Sequence, residues 1–318
     1  MDLVTIDDVP QGSPGARLSD GTILHLRRAA RTNTIETLLP STNIALLGCG
    51  AEGLDIARRI VTRAEDGTAA DELAAARALL PPDTPLLAPV IGPRLIVAQG
   101  LAYRSHLEEM SGTPEPAHPT AFLKSPSSIV GPEASVCIPS QASGMVDYEG
   151  EIAFVFGRTA YRVDESEALA CIAGVTAAND ISARDWTPGV FAATDPWEAR
   201  LTWEVNIMGK QLPGFTPLGP ALRTLDSIAD LDALRVQTRL NGQVLQDDTL
   251  GGSIFPVEKA IAYFSQWYRF EPGDILLTGT PAGVGLGRNP PIFLQPGDRI
   301  EVEVEGAGTL STPITGPA

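Results

Sequence analysis

From Asp147 through Tyr148, Glu149, Gly150, Glu151, Ile152, Ala153, Phe154 and Val155 to Phe156, the chain carries a run that suits a β-strand. Successive strand side chains point to opposite faces, so Glu149 and Glu151 share one face. Tyr148, Gly150, Ile152, Phe154 and Phe156 make the other, which reads as a core face. Carboxylates about 6–7 Å apart along a strand can converge on one hard cation. A second apolar run, Val175-Thr176-Ala177-Ala178-Asn179, ends at Asp180, which can supply a third oxygen. Three carboxylates with no nearby His or Cys suit Mg²⁺ or Mn²⁺, with Ca²⁺ also admissible, rather than Zn²⁺. The competing reading is a solvated strand face, because acids are abundant: 39 Asp and Glu against 23 Lys and Arg.

That excess gives a net charge of −16, which argues against nucleic acid or an anionic membrane as partner, since both require a basic footprint. A small anionic substrate stays compatible, because a bound metal reverses the local field. No apolar run is long enough to span a membrane. The start, Met1-Asp2-Leu3-Val4-Thr5-Ile6-Asp7-Asp8, lacks the basic and apolar regions of a secretion signal, so a cytoplasmic location is expected. Cys49, Cys137 and Cys171 are far apart and without ligand spacing, and are expected as reduced, buried thiols. With only His25, His106 and His118 present, a His-rich metal centre is excluded.

Along the chain, strands are expected near Leu3–Ile6 and Thr22–Leu26, and helices over 51–64 and 69–80. A stretch from Pro81 to Pro93 with five prolines reads as a linker. The expected organisation is an N-terminal α+β unit over residues 1–90 and a strand-rich catalytic domain over 91–318. In the second part, strands are expected at Leu95–Ala98, Thr120–Leu123, Ile275–Leu277 and Arg299–Val304. A short helix is expected at Glu165–Ala173, and another over Pro256–Tyr268. Arg235–Leu240 runs into Asn241-Gly242, a strong hairpin signal. This mixture is α+β and strand-rich.

Gly48-Cys49-Gly50-Ala51-Glu52-Gly53 matches the glycine pattern of a dinucleotide-binding turn if Asn43–Leu47 is a strand. The expected second strand with its acidic end is missing, since Glu65-Asp66-Gly67-Thr68 leads into another helix. A turn before an amphipathic helix explains the glycines as well, and NAD binding is kept only as a lesser alternative.

Several segments together resemble the fumarylacetoacetate hydrolase family. They are Tyr148–Glu151, Ala178–Trp186, Gly209-Lys210, Pro217–Pro220, Leu240–Gln243, and Pro272–Gly285, which contains Thr278-Gly279-Thr280-Pro281. Their order is the family's, over residues of about 95–305. The resemblance implies a mixed β-roll catalytic domain, in a homodimer, with Glu149, Glu151 and Asp180 as the divalent-cation ligands. Gly100–Glu109 is similar to the family's lid segment, in which a His and a Glu three residues later activate water. That implies His106 as base and Glu109 as its orienter, side by side on a helical turn. Tyr103 falls on the same motif and is expected to contact the substrate. Lys124 matches a lysine near the reacting centre, which with Thr280 is expected to stabilise the oxyanion, and Lys210 one that approaches anionic groups of the substrate. Thr280 resembles a substrate-contacting residue. Arg184 is expected to join Lys210 in holding a substrate carboxylate; with Asp185 it otherwise supports the site by ion pairing or holds the turn after Asp180.

Departures are equally specific. Ala102 stands where an Asn is frequent, Gln211-Leu212-Pro213-Gly214-Phe215 lacks the usual acid after Lys210, and Thr187-Pro188 replaces a frequent Gln. They fall where substrate choice would be set. The resemblance thus implies a Mg²⁺- or Mn²⁺-dependent hydrolase cleaving a carbon–carbon bond in a 1,3-diketone or acylpyruvate-like 2-oxo acid. A 2-oxo acid decarboxylase, or an isomerase or hydratase of unsaturated 2-oxo diacids, is the alternative on the same metal platform.

Overall fold

The computed structural model describes residues 1–32, 39–110, 113–140 and 144–317. Among these, the largest sheet has 12 strands. Its main path starts at Leu79–Leu80 and passes through Ile23–His25, Ser13–Arg17 and Asp2–Ile6 to Thr216–Thr224. It continues through Ile172–Asn179, Gly150–Phe156 and Ile275–Leu277 to Ile96–Gly100 and Thr120–Leu123. Pairing is mainly antiparallel, but Ile275–Leu277 runs parallel to Ile96–Gly100.

Gly150–Phe156 and Ile172–Asn179 are buried along their whole length because both faces of the sheet are covered. Ile152, Phe154 and Phe156 pack with Val236, Val302 and Phe264, beneath the second sheet and the Val257–Ser265 helix. Ala153 and Val155, on the alternate face, pack with Leu46, Leu47 and Ile60 from the N-terminal helices. Full burial of each large side chain stabilises by roughly 1.5–3 kcal/mol. The second sheet has 5 strands, in the order Gln243–Thr249, Arg235–Leu240, Arg299–Val304, Gly308–Thr315 and Val136–Cys137. Asn241 (φ 51) and Gly242 (φ 83) both take the left-handed conformation that a two-residue hairpin turn needs.

The architecture is the α+β, strand-rich one, with differences in detail from the sequence expectations. The proline-rich stretch contributes a strand, Leu86–Leu87, paired with Asp2–Ile6, and Asp2–Ile6 itself pairs with Thr216–Thr224. Hydrogen bonding in the sheet thus runs across the expected boundary near residue 90. The helix expected over 69–80 is Ala70–Ala75; Arg77, with φ 52, closes it, and Leu79–Leu80 pairs with Ile23–His25. The Glu165–Ala173 helix stops at Ala168, and Ile172 already belongs to the central strand. Burial on both faces there overrides the helix propensity of its alanines.

Asn43–Gly48 is a helix, capped by the Thr42 hydroxyl, and Gly50–Glu65 is a second one. The strand that a dinucleotide-binding turn requires is therefore replaced by a helix, which corrects the NAD alternative. Cys49 and Cys137 are free but exposed, unlike buried Cys171. Among the described residues no helix is long and apolar enough to cross a membrane.

Candidate metal centre and catalytic cavity

Gly150 sits opposite Asn179, and two links fasten these strand ends together: the Glu149 N–H donates to the Asn179 side-chain oxygen (2.9 Å), and the Asp180 N–H donates to the Glu149 carbonyl (2.8 Å). The result places one carboxylate oxygen each from Glu149, Glu151 and Asp180 within 4.8 Å of one another. These side chains belong to residues only 7%, 1% and 1% exposed, so a solvated acidic face is excluded. Gly150, between the two glutamates, must be glycine for packing reasons: a Cβ there would lie 1.9 Å from the Thr238 hydroxyl of the second sheet.

The three acids are not equivalent. Burial raises the Glu151 carboxyl well above its usual range, and the charges of Asp180 and Glu149 add to this. Its Oε2 accepts the Gly279 N–H at 2.8 Å, and no ammonium or guanidinium bonds it among the described residues. Gly279 has φ +81, and a Cβ would meet Ala102 at 2.5 Å, so the turn that delivers this N–H depends on glycine. Burial acts in the same direction on Glu149, but Lys210 and Arg184 outweigh it and hold that carboxyl well below the usual range. Three buried oxygens around a common space, one of them with no direct bond to a cationic side chain among the described residues, fit a hard divalent ion of the Mg²⁺, Mn²⁺ or Ca²⁺ type.

Around this centre lie three cations. Lys210 Nζ bridges Glu149 Oε2 and Asp180 Oδ2, both at 2.7 Å, and these acids raise its pKa against the opposing effect of burial. Arg184 bonds Glu149 through Nη2 and Asp147 Oδ2 through Nε (3.2 Å). The ion-pairing role of Arg184 is thus the arrangement present. Asp147 is fully buried and also accepts the N–H groups of Gly285 (2.6 Å) and Leu286 (3.2 Å), fixing the loop that follows Thr280.

Lys124 lies beside the centre as expected, but its bonds assign it a different role from the expected one. Its Nζ bonds Asp180 Oδ1, the Lys210 carbonyl (2.7 Å) and the Phe215 carbonyl (3.1 Å). An ammonium has only three donors, so none is left for a reacting oxyanion. Lys124 holds Asp180 in position from behind and does not line the cavity. Tyr103 is likewise fully buried and off the cavity wall, and burial pushes its hydroxyl pKa up. It is a core residue here, correcting the expected substrate contact.

The Arg104–Glu109 helix closes one side of the cavity. His106 Nδ1 lies 2.6 Å from Glu109 Oε1, and Glu109 Oε2 accepts the Gly283 N–H at 2.8 Å. Ser105 adds a tie, donating to Asp248 (2.9 Å) and accepting from the Ala282 N–H (3.2 Å). Thr280 lines the cavity, but its hydroxyl is engaged: it donates to the Gly150 carbonyl (3.0 Å) and accepts from Gln246 (2.7 Å).

The cavity has a volume of about 730 Å³ and brings together His106, Glu109, Glu149, Glu151, Arg184 and Lys210. Sequence reading missed Asp147, Gln246 and the wall carried by Thr187–Ala192 and Pro196–Met208. Asp147 had a signal, since it continues the period-2 alternation of Glu149 and Glu151. Gln246 had none, because its link to Thr280 spans 34 residues.

The sequence model of the fumarylacetoacetate hydrolase C-terminal domain matches residues 95–315. The chain belongs to the fumarylacetoacetate hydrolase family. Within that family it is 39% identical over 279 residues to human "Oxaloacetate tautomerase FAHD2A, mitochondrial", covering 87% of this chain and 81% of that protein. Fumarylacetoacetate hydrolase from psychrophilic Exiguobacterium antarcticum superposes with a TM-score of 0.77 at 28% identity, over 100% of both chains. The 5-carboxymethyl-2-hydroxymuconate delta-isomerase of Mycobacterium smegmatis gives a TM-score of 0.61 at 33% identity, covering 74% of this chain and 84% of that one. Family members thus include hydrolases, isomerases and tautomerases on one fold.

Proposed function

We propose that this protein is a divalent-metal-dependent hydrolase of acylpyruvate-like 2-oxo acids, cleaving the carbon–carbon bond between the acyl group and the pyruvate unit. The observation that carries the reading is the opening of Glu149 and Glu151, grouped with Asp180, and of the His106–Glu109 pair onto the same cavity. A Mg²⁺ or Mn²⁺ ion, with Ca²⁺ also suited to the all-oxygen set, would be held by those three acids and would polarise the oxygens of the dicarbonyl unit.

The remaining work falls to the chain's own groups. With Nδ1 directed at Glu109, the His106 nitrogen left for chemistry is Nε2, which accepts a proton from water while Glu109 stabilises the imidazolium. The water oxygen adds to the acyl carbonyl, the carbon–carbon bond breaks, and its electron pair passes to the pyruvate fragment, which is then protonated. The products are a carboxylic acid and pyruvate. Lys210 uses two of its three N–H groups on Glu149 and Asp180, so one remains for the substrate carboxylate. Arg184, bonded to Glu149 and Asp147, holds the Glu149 carboxylate in place.

A second reading is keto–enol tautomerisation of a 2-oxo acid, favoured by the name of the human relative and by a His–Glu pair equally able to move a carbon-bound proton. Product analysis with added Mg²⁺ or Mn²⁺ separates the two. Acylpyruvates yielding an acid and pyruvate support hydrolysis; CO₂ release means decarboxylation; an unchanged mass with altered enol absorbance means tautomerisation or isomerisation. If no acylpyruvate is split while oxaloacetate is tautomerised, the hydrolytic reading is wrong.

A further inference from the structure

We propose that the substrate's second arm is neutral and apolar, so that the cavity selects 2-oxo acids bearing an alkyl or aryl tail over dicarboxylates; this rests on the 2-oxo acid head group of the preceding reading. The cavity separates into two chemically distinct parts. Its floor holds the buried acids with Arg184 and Lys210, which are the only Lys or Arg side chains among the described lining residues. Both are already bonded to Glu149. The rest of the wall is built mainly from Met110, Phe122, Phe191, Trp203, Ile207 and Leu286.

Phe191 is 75% exposed and Trp203 51% exposed, which puts them at the outer side, away from the buried floor. Among the polar side chains of this wall, the Thr187 hydroxyl is engaged, donating to Asn206 Oδ1 at 2.7 Å. A second carboxylate placed along this wall would lie against aromatic and aliphatic side chains and find no Lys or Arg partner among the described lining residues, which is unfavourable. An apolar tail would instead remove both itself and exposed aromatic surface from water. A four-carbon dicarboxylate would also leave most of the 730 Å³ unfilled.

The test is equilibrium binding to the Mg²⁺- or Mn²⁺-loaded protein by titration calorimetry. One probe series is pyruvate, 2-oxobutyrate, 2-oxohexanoate, 2-oxooctanoate and phenylpyruvate; the other is oxaloacetate, 2-oxoglutarate and 2-oxoadipate. Affinity is expected to rise about threefold to fourfold per added methylene in the first series. Dicarboxylates of matched length are expected to bind about tenfold more weakly, because the distal carboxylate gives up apolar contact and gains no cationic partner. Phe191→Lys, at a highly exposed position, should narrow the gap by giving the distal carboxylate a partner. Equal or tighter binding of dicarboxylates, or affinity independent of tail length, overturns the proposal. Head-group binding without tail preference sinks this inference alone, whereas no binding by either series sinks the 2-oxo acid reading beneath it.

Discussion

Glu109 grips two elements at once: Oε1 lies 2.6 Å from His106 Nδ1, and Oε2 accepts the Gly283 N–H at 2.8 Å. A single carboxylate therefore docks the Arg104–Glu109 helix onto the glycine-rich loop and sets the imidazole tautomer that leaves Nε2 free to accept a proton. In Glu109→Gln the amide oxygen can still take the Gly283 N–H, which turns the amide NH₂ towards Nδ1. That moves the ring proton to Nε2 and removes the base. The expected outcome is a kcat lower by about 10²- to 10⁴-fold with KM little changed. His106→Ala should fall comparably, while calorimetric Mn²⁺ binding survives in both.

Glu151 makes the metal-free protein sensitive to pH. Its native pKa is raised from the ordinary 4.5, so above that pH the folded state holds a proton that the unfolded chain has released. Stability then falls as pH rises from about 4.5 towards the raised native value. A cation favours the ionised carboxylate and opposes this loss. Thermal melts of chelator-treated protein should show a declining Tm across that window, and Glu151→Gln should flatten the slope. At 100-fold excess over Kd, Mg²⁺ or Mn²⁺ should add about 2.7 kcal/mol to the wild type. A pH-independent difference between loaded and stripped protein would contradict the assignment.

Lys124→Met separates positioning from chemistry. The substitution leaves an oxygen of Asp180 and the carbonyls of Lys210 and Phe215 without their shared donor. Breaking a buried ion pair from one side costs about 3–5 kcal/mol, so a large drop in denaturation midpoint is expected, with weakened metal affinity. A variant that melts like wild type and binds Mn²⁺ normally, yet turns over slowly, would instead make Lys124 a catalytic donor.

What was readable in the sequence follows from the range of each interaction. The Glu149–Glu151 face is written in a period of two, and Asp180 in a contiguous motif beside it. The His106–Glu109 pair lies within one helical turn. Lys124 illustrates the opposite case: its position near the centre follows from the family resemblance, but its role depends on carbonyls of Lys210 and Phe215, 86 and 91 residues away. Strand boundaries around Leu79–Leu80 and Ile172–Asn179 were similarly set by sheet partners distant in the chain. The apolar cavity wall was hidden because Phe191, Trp203 and Ile207 read as ordinary helix residues until a cavity lies beside them.

The closeness of the two sheets under the metal centre yields the last prediction. A Cβ on Gly150 would fall 1.9 Å from Thr238 Oγ1 and 3.2 Å from Gln246 Oε1, and that oxygen already accepts the Gly150 N–H at 2.9 Å. Gln246 also anchors Thr280 and the Pro281 carbonyl. Gly150→Ala must therefore push the second sheet away and loosen the Thr280 turn, costing about 1–3 kcal/mol as other overpacked cores do. Among the described residues the buried Thr238 hydroxyl has no hydrogen-bond partner, so Thr238→Ala alone should cost little beyond its lost methyl. Combined, the two substitutions remove the hardest clash, and the double variant should recover part of the stability lost by Gly150→Ala. Additive losses in a denaturation double-mutant cycle would mean that the strain lies in the strand backbone and not in this contact.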